Sequence, residues 1–300
     1  RILSSAASDV YKRQIILILL SIGLFFLNGL NFGIDFKGGT LIEIETQNKI
    51  QISEVRSSLN SLSLGDIQVQ EFGSDKNLLI RIEQQQGGDQ IQQNVLEIVK
   101  QKLMNDISET INFRRTEVVG PKVSGELIQS GTIAILVAVF AMLIYIWLRF
   151  EWQFSLGAVI ALLHDVILTI GVFCLTQLEF NLPIIAAILT IVGYSMNDTV
   201  VVYDRVRENL RKFRSKEITS LLNLSINETL SRTIVTSVTT LLALVSLYIF
   251  GGEVIKGFTF AMIWGVLVGT YSSIFVAAPL LTYLDVKREW NTTTAVDSTK

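Results

Sequence analysis

The chain has 300 residues, half of them hydrophobic and 17% charged, with a formal net charge of −2 and a mean hydropathy of +0.48. Several apolar runs exceed the ~18 residues a bilayer span requires, so the composition describes an integral membrane protein rather than a soluble globular one, and no nucleic-acid partner is expected. The single Cys174 excludes an intrachain disulfide and a cysteine metal cage, and the single His164 excludes a polyhistidine site.

Residues 1–14 have no apolar period and stay unplaced, as a short cytoplasmic lead or a non-native stretch. Residues 15–30 form the first expected span, and Lys12 and Arg13 before it favour an inside N-terminus. A cleaved signal peptide is the competing reading, opposed by the lack of a small-x-small site after Leu27. From Asn31 to Glu126 the chain turns polar. Thr40–Thr46, Ile67–Phe72, Leu78–Ile82 and Ile111–Val119 read as strands, and Ser53–Ser61, behind a Ser53 cap, reads as a helix. A second helix, Gln90–Leu103, sets Ile91, Val95, Ile98, Val99 and Leu103 on one face. The order strand, helix, strand, strand, helix, strand predicts a ferredoxin-like α+β domain.

Further spans are expected at 127–148, 154–175, 183–203, 234–250 and 258–283. Arg149, the basic loop 204–232 and Lys287 with Arg288 in the tail 284–300 outweigh the lone Lys256 of the opposite connections. Both termini then lie in the cytoplasm and the domain 31–126 lies outside. The fold class expected is a mainly α-helical membrane protein with a periplasmic ferredoxin-like domain between helices one and two. The basic segment 204–220, with interleaved apolar residues, is expected as a helix along the cytoplasmic surface or a docking face for partner proteins.

Acids inside apolar runs are the candidates for function, since a charge there is expensive. Asp198 lies about 9 Å inside the cytoplasmic boundary at the helical rise. There it must find a cation or take a proton. Arg232, at the start of span five, is the best-placed cation, and Thr236, Thr239 and Thr240 continue its helical face as a stripe that lines a wet path or bonds carbonyls. Arg232 is equally a positive-inside anchor, a structural clip between helices is the lesser alternative for Asp198, and the stripe is more often helix packing. His164 and Asp165 in span three form a second ionisable pair, a relay or a structural bond. Gly38 and Gly39 beside Asp35 make a close turn rather than a ligand loop. Gly265 and Gly269 allow close helix approach, Pro183 opens span four and Pro279 kinks span six.

Phe32-Gly33-Ile34-Asp35-Phe36-Lys37-Gly38-Gly39 resembles the Gly-Ile-Asp-Phe-x-Gly-Gly motif of the SecD/SecF family. Gly193-Tyr194-Ser195-Met196-Asn197-Asp198-Thr199 and the residues to Glu208 resemble its fourth-span motif, His164-Asp165 its third-span pair, and Ser231-Arg232-Thr233 with Thr236–Thr240 its fifth-span start. Six spans and one outside domain are half of a resistance-nodulation-division (RND) architecture. The resemblance implies a bacterial inner-membrane subunit that works with SecD beside the SecYEG translocon, with YajC and YidC as further partners, and uses the proton motive force to draw unfolded preproteins outward. It implies protons as coupling ion at Asp198, Asn197 and Arg232, no other cofactor and no catalytic constellation. The alternatives are half of a small-solute or lipid pump, disfavoured by an outside domain of only ~95 residues, and a scaffold that needs no titratable site.

Overall fold

The structure is a computed structural model and describes residues 5–108, 110–284 and 286; Lys287, Arg288 and most of the expected tail lie outside the described residues. In the polar region, β1 (Gly39–Glu45), β2 (Ile67–Phe72), β3 (Ser74–Ile82) and β4 (Asn112–Val119) form one sheet in the order β2-β3-β1-β4, every pair antiparallel. This is the order a βαββαβ chain adopts when its hairpin is inserted beside β1. Strand alternation sends Ile42, Ile44, Ile67, Val69, Ile80 and Ile82 to one face. There they meet Val55 and Leu59 of α3 (Ile52–Asn60) and Val95, Val99 and Leu103 of α4 (Asp89–Asp106).

Two local expectations are corrected. Ser53 does not cap α3: the cap position is Gln51, no side chain caps it, and Ser53 Oγ instead donates to Gln51 Oε1. On α4, Ile91 and Ile98 are exposed at 39% and 47%, so the buried stripe is narrower than the periodicity suggested. Gln92 takes the inward place near Ile91, and its Nε2 donates to the Gln85 carbonyl.

The other sheet face buries Leu41 and Leu79 with Ile34 of the short helix α2 (Ile34–Lys37). It overlooks the ends of the long helices, where Glu71, Leu79 and Arg115 share a cavity of about 480 Å³ with Glu179, Pro183 and Glu253.

Among the described residues, six helices are long and apolar enough to cross a membrane. They lie in α1 (Ser5–Leu27), α5 (Pro121–Arg149), α6 (Trp152–Thr176), α7 (Leu182–Lys212), α8 (Ile218–Phe250) and α9 (Glu253–Ser272), the last continuing through a π-helical turn, Ser273–Ala277, into α10 (Ala278–Leu280). Burial separates them: the spanning windows of α6, α7 and α9 are 56%, 50% and 61% buried, those of α1, α5 and α8 only 11%. The first three form the centre of the bundle. The others present apolar faces outward, as a chain solvated by lipid or by a partner does.

The close contact of α9 with α7 depends on missing side chains. A Cβ at Gly265 would lie 2.2 Å from Ile191 Cγ1, and one at Gly269 would lie 2.9 Å from Ser195 Cβ. Pro279 follows the π turn, whose wider winding accommodates a residue without an N–H.

The helix ends differ from expectation in two places. α1 begins by Ser5, so Lys12, Arg13 and Gln14 are helical, and Gln14 is buried at 8%. The expected loop 204–232, with its surface-lying helix, is instead the tip of a helical hairpin: α7 runs on to Lys212 and α8 starts at Ile218. Val206 and Leu210 bury against Leu221, Leu222 and Ile226, which holds both extensions together. Arg205 Nε donates to Glu228 at 2.7 Å, and Asn209 Nδ2 donates to Ser225 and Glu228.

Candidate functional site

Asp198 of α7 is buried at 4% exposure, and its Oδ2 has no hydrogen-bond partner among the described residues. A buried oxygen without a donor is uncommon because it loses the hydrogen bonds of water without replacement. Arg232 lies on the exposed side of α8, well inside that helix rather than at its start. Asn197 falls on the exposed side of α7 and does not join them.

The threonine stripe turns out to be satisfied within its own helix. Thr236, Thr239 and Thr240 donate to the carbonyls of Arg232, Val235 and Thr236 at 3.1, 2.8 and 2.8 Å. The hydroxyls that cross between helices are others: Ser237 bonds Thr270 of α9 at 2.7 Å and receives the Tyr194 hydroxyl of α7 at 3.4 Å. Sequence reasoning passed over Ser237, although it falls within the same run as the threonines.

His164 and Asp165 come together with residues of three other helices. Asp165 Oδ2 accepts the hydroxyls of Ser195 on α7 at 2.5 Å and Ser272 on α9 at 2.8 Å. Asp165 Oδ1 lies 2.8 Å from His164 Nδ1, and His164 Nε2 lies 2.6 Å from Gln14 Oε1 on α1. Gly269 makes the approach of Ser195 possible, so the glycine pair and the acid belong to one packing arrangement.

The glycine motif forms the joint between the polar domain and the bundle. Gly33 donates its N–H to the Phe180 carbonyl at 2.8 Å, and Phe180 donates to Asn31 at 2.8 Å. Asp35 Oδ2 accepts the backbone N–H of Leu182 at 2.8 Å, which places a carboxylate on the first residue of α7. A negative group there satisfies an orphan donor and complements the helix dipole. Gly38 and Gly39 have φ of 71° and 118°, and a Cβ on Gly39 would sit 2.3 Å from the Ile82 carbonyl, so the turn into β1 admits no side chain.

A second tie joins Arg81 on β3 to Glu179 in the α6–α7 connection. Burial pushes the Glu179 carboxyl above the ordinary carboxylate range, against the pull of Arg81. Leu182, whose N–H Asp35 holds, and Asp198 lie on the same helix, α7.

The family described as protein export membrane protein SecD/SecF, C-terminal, matches residues 99–287, and the SecD/SecF GG motif matches residues 23–50. A protein translocase subunit SecF of Rickettsia bellii is 48% identical over 278 residues, covering 93% of this chain and 91% of that one. The corresponding subunit of Cereibacter sphaeroides is 47% identical over 289 residues, covering 94% and 89%. Among solved structures, SecDF of Thermus thermophilus, described as a translocon-associated membrane protein, superposes with a TM-score of 0.82 at 35% identity. The match covers 92% of this chain and 37% of that longer chain. SecDF in a super-membrane-facing form gives a TM-score of 0.68.

Proposed function

The chain belongs to the SecD/SecF family of protein-export membrane proteins, and from that premise we propose that it converts a proton gradient into assistance for Sec-dependent translocation. The observation that carries this reading is Asp198: a buried acid inside a membrane-spanning helix, with one carboxylate oxygen unpartnered among the described residues, for which we take Arg232 of the neighbouring helix α8 as the cation. Such a group gains or loses a proton according to how close the cation stands, so each protonation state favours a different setting of α7 against α8. Movement of α7 reaches the polar domain through Asp35 on its first N–H. The electrical part of the gradient supplies ~2.3 kcal/mol per charge per 100 mV.

In this reading the polar domain lies outside the inner membrane, both termini lie in the cytoplasm, and the exposed face of α5 and α8 meets SecD. The complex stands beside SecYEG, with YajC and YidC as accessory partners, and acts on unfolded preproteins as a translocation subunit rather than an enzyme. The test is secretion in membranes depleted of the native subunit and resupplied with this chain together with SecD. A stimulation of preprotein export that disappears when the gradient is collapsed supports the reading; a stimulation indifferent to the gradient contradicts it.

A further inference from the structure

The end of α7 away from the polar domain carries charge along one face. Asp204, Arg207, Glu208 and Arg211 follow one another at spacings of three, one and three, so their side chains form one stripe, and Lys212 ends the helix. Facing the stripe is Arg149, the last residue of α5. Its place is set by its neighbour: Phe150 is buried and meets the rings of Phe154 and Tyr203, which pins the turn between α5 and α6 against α7. Arg149 Nη2 then donates to both carboxylate oxygens of Asp204, at 2.9 and 3.1 Å, and Arg207 Nη1 donates to the Arg149 carbonyl at 3.3 Å.

These six side chains line a cavity of about 430 Å³. Four cations stand there against two acids, an excess of two positive charges, and Glu208 is also held by Arg205 from outside the lining. A cation in the last turn of a helix complements its dipole, which accounts for Arg149 or Lys212 taken singly. It does not account for cations of two helices gathered around one opening. Next to them in the chain, α5 ends in the exposed Tyr145, Trp147 and Leu148, the last two at 63% and 82%, and α6 starts with the exposed Trp152. Exposed Trp and Tyr at the end of an apolar span mark the level of the lipid headgroups. The cavity therefore sits at the depth of the phosphates of one leaflet.

We propose that this cavity binds the phosphodiester headgroup of an anionic phospholipid from the leaflet opposite the polar domain, with the acyl chains along the exposed apolar end of α5. The excess of positive charge selects a lipid of net negative charge over a zwitterionic one, whose own cation would be repelled. The bound phosphate joins Arg149 of α5 to Arg207, Arg211 and Lys212 of α7, so the lipid clasps α5 to the helix that carries Asp198. The site requires only that the bundle spans a bilayer and stands whether or not translocation is proton-coupled.

The test is native mass spectrometry of the full chain in detergent, titrated with phosphatidylglycerol or phosphatidylcholine. Phosphatidylglycerol is expected to bind at least about tenfold more tightly, since each Lys or Arg near the surface adds to the attraction of anionic lipid. Arg211→Gln combined with Lys212→Gln, both exposed positions, should weaken phosphatidylglycerol by about tenfold and leave phosphatidylcholine unchanged. Arg211→Lys combined with Lys212→Arg keeps the charge and should keep the preference. Lys49→Gln combined with Lys76→Gln removes the same charge from the polar domain and should also keep it. In the wild type, raised salt should abolish the preference, a measurement that needs no variant to fold. Equal binding of the two lipids, or a preference that survives the double glutamine variant, overturns the proposal. So does displacement of the lipid by equimolar inorganic phosphate or by a polyglutamate peptide, which would assign the cavity to a soluble anion or to an acidic protein segment.

Discussion

Gly265→Ala isolates the contact between α7 and α9. The new methyl would lie 2.2 Å from Ile191 Cγ1, 2.3 Å from Cδ1 and 2.7 Å from Cγ2, whereas ordinary contact begins near 3.4 Å. All three atoms belong to one side chain that is 1% exposed, so rotating its far end does not relieve the overlap and the helices must part. Overpacking of this kind destabilises by about 1–3 kcal/mol. Ile191→Ala alone removes the same three atoms and leaves a cavity, at about 2–5 kcal/mol. In the double variant the added methyl occupies part of that cavity, so the combined loss should fall short of the sum of the single losses by about 1 kcal/mol or more. Thermal unfolding in detergent, followed by tryptophan fluorescence beside the contact at Trp264, measures all four proteins. A neutral Gly265→Ala, or strictly additive losses, would refute the close-packed arrangement of α7 on α9.

Three further outcomes are expected. Asp35→Ala removes the acceptor from the first N–H of α7 and should weaken that helix end by about 1 kcal/mol, read as faster amide exchange at Leu182, Ile184 and Ile185, while Asp35→Asn retains most of the protection. Because the Glu179 carboxyl is raised above 4.5 in the folded state, its contribution is full below that value and is lost as pH rises through the raised one. Wild type should therefore lose stability relative to Glu179→Gln across that window, and parallel pH profiles would contradict the burial of this group. Gly39→Ala, at φ of 118° and facing the Ile82 carbonyl, should abolish the native pairing of β1 with β3, visible as protease sensitivity within the polar domain.

The domain order was legible because the apolar period switches cleanly between two and 3.6 along residues 40–119, and Asp198 was legible because an acid interrupts an apolar run. Arg232 was placed at a helix start because Asn223, Ser225, Asn227, Glu228 and Ser231 lower the hydropathy before it. Only the packing of Leu221, Leu222 and Ile226 on α7 shows that the helix continues. Gln14 was set aside with an unplaceable lead, yet it completes the His164 contact from 150 residues away. The partners of Asp35 and Arg81, Leu182 and Glu179, lie 147 and 98 residues away, and periodicity carries no information about pairs that only tertiary structure brings together. Ser195 and Ser272 looked like ordinary small residues of membrane helices until they converged on Asp165.

The central claim is that Asp198 and Arg232 act as one proton-responsive unit, and a double-mutant cycle read by gradient-stimulated secretion tests it most directly. Asp198→Asn should abolish the stimulation while the protein remains folded and inserted, since the amide resembles the neutral acid. Arg232→Ala should impair it, and the double variant should be no worse than the more damaging single one. A fully active Asp198→Asn protein, or losses that simply add, would contradict the account and leave the two residues as separate features of α7 and α8.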